Sequence, residues 1–164
     1  MTLEFFEELK CSPFLMQHSQ TVKKKAINLA ISFNSKVNLE LVKKGALLHD
    51  VGRCRSNGID HAIIGANILR NRGESSEIVM IVERHIGAGI TTEEAIILGL
   101  PPKSYEPVTI EEKIVSHADN LVHGTEEVNL DFVIKKWRDM MGEEHPSINR
   151  LKKLHHEVTG QEVK

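Results

Sequence analysis

A chain of 164 residues with 40% apolar content is the size of one ordinary domain and long enough to bury a substantial core, so a single domain over 1–164 is expected. A formal net charge of -2 leaves no basic surplus for broad nucleic-acid binding and no acidic tail, although it leaves room for a small local basic patch. No apolar run approaches the roughly 20 residues that cross a bilayer, and Cys11 and Cys54, outside any C-x-x-C arrangement, with Glu4, Glu7 and Glu8 in place of a leader, point to a soluble protein in a reducing cytoplasm.

Aromatic content is only 4%, and apolar residues recur at three- and four-residue spacing almost throughout, which predicts an all-α fold, a compact helical bundle. Ser12 as N-cap and Pro13 at the first helical position open a long helix with the stripe Leu15, Val22, Ala26, Leu29 and Phe33, and His18 lies on that stripe. A second helix starts after Asn38 and runs through Val42, Ala46 and Leu47 to His49 and Asp50, ended by Gly52. A third, over about 60–71, carries His61, Ile64, Gly65, Ile68 and Leu69 in phase, and Gly65 would let a neighbouring backbone come close beside His61. Ser75 or Ser76 caps a fourth, with Ile78, Ile81, Val82 and His85 on one face.

Thr91 with Glu94, and Thr109 with Glu112, read as capping boxes. The first opens a short helix through Ala95 to Leu98, within a Gly- and Pro-bearing stretch from Gly87 to Pro107 that reads as a lid or pocket wall. The second opens a helix through Ile114, Val115, Ala118, Asp119 and Val122. Leu130 to Met141, with Val133, Ile134 and Trp137 on one face, and a last helix after Pro146, with Ile148, Leu151 and Leu154, read as packing helices.

Six ionisable residues thus fall on apolar stripes: His18, His49, Asp50, His61, His85 and Asp119. Burying such groups costs several kcal/mol each unless they are paired, hydrogen-bonded or coordinated. A lone histidine on such a stripe is best read as a hydrogen-bonded core residue, but six together require a common cause, and metal supplies one. Imidazole and carboxylate suit Mn, Fe, Co, Ni or Zn, with Mg also compatible. Six protein ligands exceed what one ion with open positions uses, so the economical arrangement is two ions about 3.5–4 Å apart bridged by one carboxylate, for which Asp50 is the candidate.

The stretch Gly45-Ala-Leu-Leu-His-Asp-Val-Gly-Arg53 resembles the signature of the HD superfamily of metal-dependent phosphohydrolases. His18, in Gln17-His-Ser-Gln-Thr-Val22, matches the histidine that precedes it. Asp60-His-Ala-Ile-Ile-Gly-Ala66 and Glu83-Arg-His85 resemble the segments that supply second-metal histidines in the dinuclear, HDIG-type branch, and His117-Ala-Asp119 supplies the closing aspartate. Together these cover Met16 to about Val122, within a metal-site core of about 12–124 followed by packing helices over about 128–160.

The resemblance implies one metal held by His18, His49, Asp50 and Asp119 and a second held by Asp50, His61 and His85. It also implies hydrolysis of a phosphate ester or anhydride of a small molecule, a nucleotide or dinucleotide, by a metal-activated water. Asp50 and Arg53 are then the catalytic residues, with Arg53, where the family often has lysine, as a phosphate contact. The bland alternative for Arg53 is a surface ion pair. Arg84 could also face the phosphate, though an exposed helix arginine accounts for it equally, and Lys113 is similar.

His117 points about 200 degrees from Asp119 by helical geometry, which favours a core or surface role over a supporting one at the site. His123, His145, His155 and His156 read as surface or helix-end residues, Cys54 as an inert thiol and Trp137 as a core anchor. Two other functions share this ligand set. One is an HD-fold di-iron oxygenase, and the other is a non-catalytic nucleotide-binding regulatory module.

Overall fold

The computed structural model describes residues 2–164. Among them the order is α1 (Thr2–Glu8), α2 (Pro13–Ser32), α3 (Leu39–Leu48), a 3-10 turn (Val51–Cys54), α4 (His61–Asn71), α5 (Ser76–Glu83), α6 (Thr92–Ile97) and α7 (Ile110–Asn120). A two-stranded hairpin of β1 (Val122–His123) and β2 (Glu126–Glu127), then α8 (Leu130–Met141) and α9 (Pro146–Thr159), complete it. The strands pair antiparallel, Val122 opposite Glu127 and His123 opposite Glu126. The all-α expectation holds, with this short hairpin as the exception.

Local chemistry sets the helix starts. The side chains of Ser12, Asn38, Ser75 and Asn129 accept from the amides of Leu15, Leu41, Ile78 and Phe132, each relieving one unpaired donor of a helix N-terminus. The Thr91–Glu94 capping box forms in full. The one expected at Thr109 forms only by half: Thr109 accepts from the Glu112 amide, but the Glu112 carboxylate turns away to the Val108 amide (2.7 Å) and to Arg84.

Two apolar clusters make the core. One joins α2, α3, α7, α8 and α9 through Val22, Ala46, Ile114, Ala118, Ile134 and Leu151. The other joins α1 to α3, α4 and α5 through Phe6, Leu48, Val51, Leu69 and Val82. Ionisable residues interrupt both: His49 and Asp50 separate Leu48 from Val51 in the second cluster, and Asp119 follows Ala118 in the first. A third, small cluster of Ile90, Ala95, Leu100 and Tyr105 packs the 87–107 stretch onto itself.

The expected close approach beside His61 occurs, and its partner is Gly52. A Cβ on Gly52 would run into the His61 carbonyl and lie 2.7 Å from the Gly65 amide, and one on Gly65 would lie 3.0 Å from the Gly52 amide. Two glycines therefore let the turn bearing His49 and Asp50 seat directly on α4.

The cysteine reading is overturned. Cys11 and Cys54 form a disulfide, Cα–Cα 4.9 Å apart, which ties the α1–α2 linker to the end of the 3-10 turn. The residues are 43 positions apart, so no short spacing announced the bridge, and the inference of a reducing compartment loses its basis. No helix among the described residues is long and apolar enough to cross a membrane.

Candidate metal centre

His18, His49, Asp50, His61, His85 and Asp119 converge from α2, the end of α3, the start of α4, the residues after α5 and α7. Four imidazoles are oriented in the same way. Nδ1 of His18, His49, His61 and His85 lies 2.6, 2.6, 2.8 and 2.7 Å from the carbonyl oxygens of Gly124, Ala46, Gly58 and Val82. A carbonyl can only accept, so Nδ1 carries a proton in each ring and Nε2 is the atom turned inward, its lone pair available to a cation that displaces any proton there. In three of them the carbonyl belongs to the residue three positions upstream, so local chain geometry aims the ring.

The carboxylates divide the rings into two pairs. Oδ1 of Asp50 lies 3.1 Å from His61 Nε2 and 3.4 Å from His85 Nε2, while Oδ2 faces His18 at 3.6 Å and His49 at 3.8 Å. Asp119 Oδ1 closes the second group, 3.1 Å from His18 and 3.4 Å from His49.

The donor set fits divalent cations. His49 Nε2 is buried without a hydrogen-bond partner. His61 and His85 bring two Nε2 atoms to 3.1 Å of each other, a contact between lone pairs unless a proton or cation lies at hand. Burial opposes a charged His49, but Asp119 and Asp50 outweigh it and hold the imidazole up at about 9. Both carboxylates are desolvated too, yet the surrounding imidazoles keep them well below the ordinary carboxylate range. His85, by contrast, is pushed down by burial. A buried Asp50 and a part-buried Asp119 among four rings whose Nε2 atoms face inward make a pocket that favours positive charge.

The other predicted residues are placed as follows. Arg53 Nε donates to both oxygens of Asp50 at 3.1 Å, and Arg53 lines the adjoining cavity. Arg84 does not reach the site: its guanidinium is held by the Glu112 carboxylate at 3.1 Å, which removes it from substrate contact. Lys113 pairs with Glu157 at 3.2 Å. His155, expected at the surface, is buried, and its Nδ1 lies 2.8 Å from His117 Nε2. Burial and the neighbouring His155 push His117 down to about 3, so His117 is a neutral ring packed against His155 between α7 and α9.

Beside the six residues opens a cavity of about 640 Å³. Its floor includes Arg53, His61, His85 and Asp119, one wall is the 86–98 segment, and the other is α8 with the start of α9. The pocket-wall reading of the Gly87–Pro107 stretch thus holds. Trp137 packs on the core as expected but also faces the cavity, as do Phe132 and Lys136, which sequence reasoning missed. The available signal was that Phe132 is a large apolar residue off the inner stripe of α8, while Met140 and Met141 extend that stripe past Trp137 and stay exposed.

Residues 15–123 match the family HD domain. The chain belongs to the HD family. This HD protein is 52% identical over 151 residues to an uncharacterized protein of Methanocaldococcus jannaschii, covering 90% of this chain and 89% of that one. It is 46% identical over 153 residues to a tRNA (cytidine(56)-2'-O)-methyltransferase of Thermoplasma volcanium, where the match takes in 93% of this chain but only 44% of the longer protein. The HD domain of the L. monocytogenes phosphodiesterase PgpH, solved in complex with cyclic-di-AMP, shares the fold at a TM-score of 0.54 and 17% identity, over 93% of this chain and 95% of that one.

Proposed function

We propose that this HD protein, acting as one domain over 1–164, is a two-metal phosphohydrolase that cleaves a phosphate ester or anhydride of a small molecule, a nucleotide or dinucleotide. The observation that carries the reading is the split of Asp50, one oxygen toward His61 and His85, the other toward His18 and His49. We assign His18, His49, Asp50 and Asp119 to one divalent ion and Asp50, His61 and His85 to the other, the ions being Mn, Fe, Co, Ni, Zn or Mg. Bound there, such ions supply charge neutralisation and an activated water for in-line attack on phosphorus.

The protein's own residues prepare that chemistry. The four Nδ1–H bonds hold the rings so that the Nε2 lone pairs need no reorientation on binding, the arrangement that ordinarily tunes metal-ligating histidine. Arg53 uses only Nε on Asp50, which leaves its two terminal nitrogens for a phosphoryl oxygen in the cavity it lines. The solved phosphodiesterase HD domain holds a cyclic dinucleotide, which supports a nucleotide-sized substrate.

The test is release of phosphate or nucleotide from a broad panel of phosphoesters, with Mn, Fe, Co, Ni, Zn and Mg each supplied. Metal-dependent turnover lost in Asp50→Ala is expected, and no turnover with any pairing would sink the reading. An iron-loaded sample should consume no oxygen, which separates this activity from a di-iron oxygenase. A regulatory module, by contrast, would bind nucleotide without turning it over.

A further inference from the structure

The cavity has a character the metal centre does not require. Beyond the metal-site floor its surface is largely apolar, and several large apolar side chains at its mouth stay open to solvent: Ile97 at 84%, Leu98 at 46%, Phe132 at 43% and Met140 at 68% exposure. They come from two facing elements, the 86–98 segment and α8. Large apolar surface gathered around one concave site marks a place where something apolar is received.

Trp137 is fixed beside the reaction centre. A Cβ on Gly87 would lie 3.4 Å from Trp137 Cη2 and 3.7 Å from Cζ2, so the six-membered edge of the indole borders that residue, two beyond His85. The Gly87 carbonyl is in turn pinned by Ser116 Oγ at 2.8 Å and by the amide of Asn120, next to Asp119, at 3.0 Å. The phosphoryl end and the indole are therefore tied to one rigid framework. Lys136, the residue before Trp137, lines the same cavity and has no carboxylate within ion-pair distance among the described residues; its Nζ lies 3.4 Å from His123 Nδ1.

Several of the hydrogen-bonding side chains in its lining already have partners within the protein. Glu94 is held by Arg150 at 2.7 Å, Ser147 Oγ lies 2.7 Å from His145 Nδ1, and the Asn120 amide serves Gly87. An apolar pocket discriminates weakly between rings of similar size, whereas a site built from hydrogen-bond partners discriminates strongly. Stacking on an aromatic face is tolerant for the same reason, since every base has a π-face.

We propose that this cavity is a base-tolerant nucleoside-phosphate subsite in which the base lies on Trp137, with Lys136 beside the sugar-phosphate. Where substrates are ranked by turnover, the proposal rests on the phosphohydrolase reading. Binding tests it independently, because Trp137 is the only tryptophan in the chain and its fluorescence reports the cavity alone.

The experiment titrates the full-length protein with AMP, GMP, CMP, UMP, ribose 5-phosphate and octyl phosphate, and measures kcat/KM for each in parallel. All four nucleotides should alter Trp137 fluorescence and bind within about tenfold of one another, as expected for stacking without edge readout. Ribose 5-phosphate and octyl phosphate should bind about 5- to 150-fold more weakly, the loss of one stacked base. In the kinetic arm Trp137→Leu, which keeps bulk without the π-face, should cost the nucleotides about that factor more than it costs ribose 5-phosphate, while Trp137→Phe restores most of the difference.

A single base preferred by more than about a hundredfold would mean edge readout and overturn the proposal. So would octyl phosphate binding as well as the nucleotides, or a Trp137→Leu effect equal on all substrates. Should no substrate turn over, the phosphohydrolase reading fails while the fluorescence titration still decides the subsite.

Discussion

Each oxygen of the Asp50 carboxylate faces a different pair of imidazoles, and Arg53 Nε touches both oxygens. Asp50 can therefore share charge between two ions while Arg53 fixes its plane. Removing the arginine should leave the ring positions intact and weaken the hold on phosphate: Arg53→Ala is expected to raise KM about tenfold or more, with Arg53→Lys recovering part of it. Steady-state kinetics on any hydrolysed phosphoester decides this, and an unchanged KM would make Arg53 a surface ion-pair residue. Gly52 offers a structural counterpart. Because a Cβ there meets the His61 carbonyl, Gly52→Ala should cost about 3 kcal/mol or more in denaturant unfolding. At this scale the six residues that converge were legible, since charged groups on apolar stripes need a reason. The carbonyls that aim the rings were not, because side-chain spacing says nothing of backbone oxygens such as that of Gly124, brought to His18 only by the hairpin.

Among the elements, the 86–98 wall is tied to α9 by Arg150, which donates to Glu94 at 2.7 Å and to the Gly89 carbonyl at 3.3 Å. Burial works to raise the Glu94 carboxyl, but the hydrogen bonds from Arg150 and from the Thr91 amide prevail and hold it below its ordinary 4.5. A lowered folded-state value means that this stabilisation is fully present above about pH 4.5 and is lost as the pH falls through the lowered value. Arg150→Met should therefore destabilise by about 1 kcal/mol at neutral pH, and its gap from wild type should narrow under acid. A gap independent of pH in parallel thermal melts would contradict the pairing. Helix starts were readable here because capping side chains are local. The role of α8 was not, because Val133, Ile134 and Trp137 on one stripe look the same whether they face a filled core or also border a cavity. The hairpin and α1 escaped for another reason: β1 and β2 have two residues each and α1 has seven, too short for a periodic pattern.

Over the whole molecule, ionisable residues of the centre interrupt both apolar clusters along the chain, and the Cys11–Cys54 disulfide closes the N-terminal one around the turn that carries Asp50 and Arg53. A closed loop of this length is worth about 4 kcal/mol in chain entropy, so reduction or a Cys11→Ser/Cys54→Ser variant should lower the melting temperature by on the order of 10 °C. Calorimetry with and without reductant checks this, and coincident melts would show that the bridge contributes nothing. The central claim is the paired-ion centre. Its most direct test is elemental analysis of the purified protein, wild type beside a His61→Ala/His85→Ala double variant, neither supplied with added metal. The account predicts close to two divalent ions per chain in the wild type and close to one in the double variant, where His18, His49, Asp50 and Asp119 remain. A wild type that holds one ion or none, or a double variant that holds as many as the wild type, would contradict it.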